Sequence, residues 1–148
     1  MKAIRLAVER TAKELPQIFR YKESIYQKVL QHYLHKFLPS DAVISNEVNV
    51  PYKTSDGFVY AWGRMDLVVE TPEEYLILEL KANASFEKNK NEYFSQVGRY
   101  IRHVQTKKPV RGMLIVFGRH TPIIKNIRLD VKRNVFLVSK PDCSCEYT

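Results

Sequence analysis

Apolar residues recur at three- and four-residue steps in two stretches of the chain, and elsewhere they alternate or run unbroken. Between Tyr21 and Phe37 the positions Tyr26, Val29, Leu30, Tyr33, Leu34 and Phe37 form one stripe, which predicts an amphipathic helix ended by Pro39 and Ser40. A second stripe of Phe94, Val97, Ile101 and Val104 predicts a helix from about Asn89 to Gln105. A shorter helix fits Met1 to about Glu14 and is broken at Pro16. Extended segments are expected at Val43 to Pro51, Val59 to Glu70 and Tyr75 to Lys81, with Thr54, Ser55, Asp56 and Gly57 and then Thr71 and Pro72 as turns. The run GMLIVF, Gly112 to Phe117, is apolar on both faces and reads as a central strand. Short strands near Ile123 to Leu129 and Val135 to Val138 complete the pattern. No internal repeat, low-complexity tract or linker interrupts it, so residues 1–148 are expected to form one α/β domain, a sheet flanked by helices.

Against this pattern one stretch stands out, GRMDLVVETPEEYLILELKA from Gly63 to Ala82, because it sets Asp66 inside one apolar strand and Glu79 and Lys81 inside the next. A charge in a buried sheet costs several kcal/mol unless a partner, a cation or a proton compensates it. If Thr71, Pro72, Glu73 and Glu74 form the loop, Glu70 faces Tyr75, and counting back along both strands places Asp66 opposite Glu79. Opposed side chains of an antiparallel pair lie about 4.5–5.5 Å apart at Cβ, and alternation puts Lys81 on the same face as Glu79. Two carboxylates so close repel unless they share a cation or bind a proton. Mg²⁺ or Mn²⁺ suits such oxygen ligands and leaves positions for water and phosphate. The alternative is a structural ion pair on a solvated sheet face.

Two further features bear on that choice. Glu23 lies one helical step before Tyr26 on the apolar stripe, either as a first-turn acid favoured by the helix dipole or as a ligand aimed at the sheet. In SQVGRYIRH, Gln96, Tyr100 and His103 line a stripe beside the buried one, and the four-residue step from Gln96 to Tyr100 lets both reach one site. They are otherwise the polar flank of an amphipathic helix.

The chain has 148 residues and a formal charge of +8, which favours phosphate-rich partners, nucleic acid first. Lys88, Lys90, Arg99, Arg102, Lys107, Lys108 and Arg111 gather around the second long helix and its exit, either as a phosphate-tracking surface or as a solvated face. The N-terminus lacks a signal-peptide core and no apolar run is long enough to cross a bilayer, so an intracellular protein of cytoplasm or nucleus, without a membrane partner, is expected. Cys143 and Cys145 are too few for a zinc site and poorly spaced for a core disulfide. His32, His35 and His120 read as solvated. No glycine-rich phosphate loop is present, and no Ser-His-Asp order stands out. Nine tyrosines could serve the core or stack on bases, which leaves single-strand and duplex binding undistinguished.

The segments Gly63-Arg64-Met65-Asp66 and Glu79-Leu80-Lys81 together resemble the PD-(D/E)xK nuclease superfamily, and Gln96-Val97-Gly98-Arg99-Tyr100 resembles the QxxxY motif of its RecB-type and lambda-exonuclease-like branch. The chain is similar in particular to the small GxxExxY proteins, through Glu23-Ser24-Ile25-Tyr26, Asn46 to Pro51 and the late strand Gly112 to Gly118. It departs from them at Arg20 and Val116, where they carry Gly and Asn, and Met65 stands where the superfamily often has Pro.

The similarity runs from about Arg20 to Arg128. It implies a restriction-endonuclease-like α-β-β-β-α-β core with a central mixed sheet, Mg²⁺ or Mn²⁺, and hydrolysis of phosphodiester bonds, in DNA before RNA. It also implies roles. Asp66 and Glu79 with the Leu80 carbonyl would hold the metal, Glu23 would assist directly or through water, Lys81 would activate the nucleophile, and Gln96 would position Lys81 or a phosphate. Tyr100 would support the helix or stack near substrate. The charge pattern, separately, makes Arg64, Arg99, Arg102 and Lys107, with Tyr100, the expected contacts to nucleic acid. The rival expectation is a nucleic-acid-binding accessory module of a DNA repair or processing complex, with little or no catalysis. Assembly as a homodimer or within such a complex is expected on either view.

Overall fold

The computed structural model describes residues 2–82 and 85–140, which form α1 (Lys2–Glu14), a 3-10 turn (Gln17–Phe19), α2 (Glu23–Phe37), β1 (Val43–Lys53), β2 (Val59–Glu70), β3 (Tyr75–Ala82), α3 (Phe86–His103), β4 (Val110–Phe117), β5 (Ile123–Asp130) and β6 (Val135–Ser139). Cys143 and Cys145 lie outside the described residues.

The six strands lie side by side in chain order. All neighbours are antiparallel except β3 and β4, which run parallel because α3 carries the chain back between them. Two apolar layers result. On one face Ile4, Ala7 and Val8 of α1 and Tyr26, Leu30 and Leu34 of α2 pack on Leu67, Val69, Leu76, Leu78, Leu80, Met113, Ile115 and Phe117. On the other, Phe86, Val97, Tyr100 and Ile101 of α3 cover Val68, Ile77, Leu114, Val116 and Ile127. β3 and β4 supply residues to both layers, which is why they read as unbroken apolar runs. The path from α2 through β1, β2 and β3 to α3 and β4 is the α-β-β-β-α-β restriction-endonuclease-like core, in a mixed sheet flanked by helices.

α2 begins at Glu23 rather than Tyr21, and both ends of the second long helix also differ from expectation. The second long helix was expected from Asn89, yet α3 begins at Phe86, whose ring is buried against Phe94 at 6.0 Å and anchors the first turn. The same helix stops at His103 rather than Gln105, because Lys53 N–H donates to His103 Nδ1 at 3.2 Å and fixes the end against β1.

The basic surface expected around α3 is also smaller than its sequence suggests. Lys108 Nζ lies 2.7 Å from Glu70 Oε2 and 2.9 Å from the Thr71 carbonyl, and Arg111 Nη2 lies 2.9 Å from Glu74 Oε1. These two cations fasten the β2–β3 turn. The turn itself is the four-residue loop read from sequence, with Glu70 paired to Tyr75.

α3 sits close to the sheet over Gly112. A Cβ there would collide with Val97 Cγ1 and come within 3.2 Å of Ile101 Cδ1. Gly112→Ala is therefore expected to force α3 off β4 and to cost about 1–3 kcal/mol, as overpacking of a well-filled core does. Thermal denaturation should show a melting point lower by several degrees.

Candidate active site

The β2–β3 ladder holds its register to Leu67–Leu78 and ends there, one pair short of Asp66 and Glu79. Three local features coincide with that end. The β1–β2 pairing runs from Asn46–Leu67 to Val48–Met65 and omits Glu47 and Asp66, and Glu47 has φ of 51°, a left-handed conformation that interrupts an extended strand. Met65 packs in the layer under α3 whereas Leu67 packs under α1 and α2, so strict alternation slips at Asp66. β2 and β3 are thus released from each other where their charged residues lie, and a cleft opens between them.

The freed backbone groups are taken up by side chains. Leu80 N–H donates to Asp66 Oδ2 at 2.8 Å, replacing a ladder bond. Gln27 of α2 donates from Nε2 to the Asp66 carbonyl at 3.0 Å, and Tyr100 of α3 donates from Oη to the Arg64 carbonyl at 2.9 Å. One segment of β2 is therefore held from both layers.

Glu79 is buried, with 3 % of its surface exposed. Its Oε2 lies 3.4 Å from Lys81 Nζ, while Oε1 is buried without a hydrogen-bond partner. Lys81 Nζ also stands 5.0 Å from the centre of the Tyr93 ring, a cation–π contact. Burial, and then the charge of neighbouring Asp66, pushes the Glu79 carboxyl up to about 8. Asp66 is raised as well, by burial first, although the Leu80 N–H and Lys81 pull the other way. Glu23, at the start of α2, is raised by loss of hydration and by Asp66. The Tyr100 hydroxyl is pushed up by burial and by the Glu79 charge, so it stays a donor at any ordinary pH.

These residues surround a cleft of about 490 Å³ lined by Glu23, Tyr52, Trp62, Gly63, Arg64, Asp66, Glu79, Lys81, Gln96, Arg99 and Tyr100. Of the positions expected from sequence, Asp66, Glu79, Lys81, Gln96, Glu23, Arg64, Arg99 and Tyr100 meet here. Leu80 lies between two of them, its side chain in the opposite layer. Arg102 and Lys107 are not brought to the cleft: both are exposed, and Arg102 reaches Asn134 Oδ1 at 3.5 Å. Arg64 also differs from a free phosphate contact, since its Nε lies 3.1 Å from Glu47 Oε2.

Tyr52, Trp62 and Gly63 were missed as site residues. Gly63 carries the clearest reason for its identity, because a Cβ there would meet the Tyr52 hydroxyl and come 2.8 Å from the Tyr100 ring. The signal for Trp62 was a large aromatic at an outward strand position beside GRMD.

Among the described residues, no three His, Cys, Asp or Glu side chains form a ready-made metal cage. The acids present nonetheless fit a hard divalent ion. Two carboxylates both pushed up by burial, with the charge of Asp66 raising Glu79 further and one Glu79 oxygen buried without a donor, form an arrangement that a cation relieves. Asp66 and Glu79 would hold such an ion, and it would supply charge stabilisation to a phosphate together with a lowered pKa of its water.

No curated protein matches the chain. Four chains of solved structures do, among them one titled "Crystal structure of SSO0001", at 20 % identity over 88 % of this chain and with a TM-score of 0.42. This chain covers 65 % of that one. A family model described as the PD-(D/E)XK nuclease superfamily matches residues 2–129. That span takes in the strand pair carrying Asp66, Glu79 and Lys81 and the helix carrying Gln96, and the chain belongs to the PD-(D/E)XK nuclease superfamily.

Proposed function

We propose that the protein is a nuclease dependent on Mg²⁺ or Mn²⁺ that hydrolyses phosphodiester bonds of DNA. The observation that carries this reading is the convergence of Asp66, buried Glu79 and Lys81 at the point where β2 and β3 separate. The resemblance of Glu23 to Tyr26 and of Gln96 to Tyr100 to the motifs of the GxxExxY and RecB-type proteins supports the same chemistry and favours DNA.

In this reading water attacks phosphorus and the bond to the leaving oxygen breaks. The Lys81 ammonium lies beside the carboxylates, where it orients the water and offsets negative charge gathering on the phosphate. Gln96 lines the cleft and presents an amide to Lys81 or to a non-bridging oxygen. Arg99, exposed one helical step from Gln96, draws the phosphate backbone to the mouth. Tyr100 keeps Arg64 and the β2 backbone in place through its bond to the Arg64 carbonyl.

The test is cleavage of single-stranded, duplex and circular DNA with Mg²⁺, Mn²⁺ or a chelator. Metal-dependent cleavage that the chelator stops supports the proposal. Binding with no cleavage under any metal would refute it and make the protein an accessory binding module. Within the site, Glu23→Gln is expected to weaken metal affinity less than Glu79→Gln, by a factor of about ten between them, because Glu23 stands at the exposed rim and Glu79 at the buried base. Calorimetric titration with Mn²⁺ measures both, and equal or reversed losses would contradict the peripheral place of Glu23.

A further inference from the structure

Two tyrosine rings flank Gly63 on the face of the sheet that α3 covers: Tyr52 of β1 and Tyr100 of α3, both lining the cleft. Val50, which faces Gly63 across the β1–β2 ladder, packs in the layer under α3, and Tyr52 follows it two positions on. A Cβ at residue 63 would meet the Tyr52 hydroxyl and come 2.8 Å from the Tyr100 ring, so the bare glycine is what lets both rings stand there. Their hydroxyls are used differently. Tyr100 Oη is spent on the Arg64 carbonyl at 2.9 Å. Tyr52 Oη has no hydrogen-bond partner among the described residues, and it does not serve the neighbouring Glu79, whose Oε1 is itself without a donor.

The unbonded hydroxyl is nonetheless held in place. The Tyr52 ring lies 5.0 Å from the His103 ring and 6.4 Å from the Tyr60 ring. His103 is fixed in turn, accepting the Lys53 N–H through Nδ1 at 3.2 Å and lying 3.5 Å from Tyr60 Oη through Nε2. A phenol braced along its ring, with its polar tip unbonded at a cleft wall, is preorganised for a ligand, because little side-chain freedom is left to lose on binding. Burial, ahead of the nearby charges, raises the Tyr52 hydroxyl; Arg99 pulls it down and Glu79 pushes it up, and it remains a protonated donor at neutral pH. Beside the exposed guanidinium of Arg99, such a donor suits an anion with several acceptor oxygens. A phosphodiester has two non-bridging oxygens, one for the cation and one for the hydroxyl.

We propose that Tyr52 is a substrate-binding residue whose hydroxyl donates to a non-bridging phosphate oxygen of the strand lying in the cleft. The proposal rests on the nuclease reading for the identity of that strand. It makes Tyr52 the tyrosine that touches nucleic acid and leaves Tyr100 to hold β2.

Tyr52→Phe keeps the ring and its contacts with His103 and Tyr60 and removes an oxygen that bonds to nothing within the described protein, so the melting point is expected to stay unchanged. Affinity for a labelled oligodeoxynucleotide, read by fluorescence anisotropy in chelator, is expected to fall about tenfold, the scale of one hydrogen bond to a charged group. A neutral donor displaces no counterion, so the slope of log affinity against log salt should be the same in both proteins. In Mg²⁺ or Mn²⁺, KM should rise by a similar factor and kcat stay within about twofold, because the contact is made alike in the ground and transition states. Unchanged affinity in Tyr52→Phe would overturn the assignment. So would a loss of affinity accompanied by a melting point lower by several degrees or by a shallower salt slope, since either would mean that the side chain shapes the wall and touches no phosphate. A fall in kcat at constant KM would overturn it as well, by moving the hydroxyl from binding to chemistry. Cleavage by the unmodified chain with unaltered affinity in Tyr52→Phe keeps the nuclease and removes Tyr52 from the substrate. Tenfold weaker binding by Tyr52→Phe of a protein that cleaves nothing in either metal keeps Tyr52 and removes the nuclease.

Discussion

Asp66→Asn and Lys81→Ala are each expected to lower metal-dependent cleavage by at least about a hundredfold while the fold survives. Removal of one preorganised charge or donor from an active site costs about 10²–10³ in rate. The choice of Asn is deliberate. Asp66 Oδ2 accepts the Leu80 N–H at 2.8 Å, and the Asn carbonyl oxygen can accept that bond while the negative charge is gone. Ala in its place would leave the Leu80 N–H without that acceptor and confuse lost chemistry with lost structure. Lys81 is half-buried and its contacts are Glu79 and the Tyr93 ring, so truncation to Ala removes a charge without unmaking a backbone bond. Initial rates on a labelled oligonucleotide, with melting curves on the same samples, measure both effects. Cleavage at the unmodified rate in either variant would remove that residue from catalysis.

The second large effect concerns stability against pH. Glu79 titrates at about 8 in the fold against an ordinary value of 4.5, so the fold binds its proton more tightly than the unfolded chain does. Between those values the unfolded chain releases a proton that the fold retains, and stability falls as pH rises through the window. Asp66 and Glu23 are displaced in the same direction and add to the slope. Glu14 and Asp56 are displaced downwards by their hydrogen-bonding partners, and their effect lies at lower pH, outside that window. Across pH 5 to 9 the metal-free protein should lose on the order of a few kcal/mol. A divalent ion competes with the proton for the carboxylate pair, so Mg²⁺ or Mn²⁺ should raise the melting point more at pH 8 than at pH 5. Glu79→Gln should flatten the pH profile and remove most of the gain from metal. A profile of unchanged slope in Glu79→Gln would refute the assignment.

Much of this was legible before any coordinates, for physical reasons that differ between elements. The stripe Tyr26, Leu30 and Leu34 fixed the buried face of α2, and the Thr71 to Glu74 turn fixed the ladder from Glu70–Tyr75 to Leu67–Leu78, which stops one pair short of the expected Asp66–Glu79 pair. Both follow from local periodicity. The cleft itself is tertiary. Glu47 in a left-handed conformation and the slip of alternation at Asp66 have no local signature, since neither glycine nor proline marks the place. Lys108 and Arg111 show the same limit in charge: adjacent to a basic helix in sequence, they are bound to Glu70 and Glu74 across the sheet. Trp62 lay in plain view beside GRMD, but an outward strand aromatic gains meaning only when the cleft next to it is known.

The bond from Leu80 N–H to Asp66 has a consequence for judging relatives of this protein. A descendant that had ceased to cut nucleic acid would still gain from an acceptor at position 66, because the strand beside it has no other to offer there. An aspartate at that position is thus weak testimony for activity. Lys81 fastens no backbone, and its loss is the substitution that would mark an enzyme turned into scaffold.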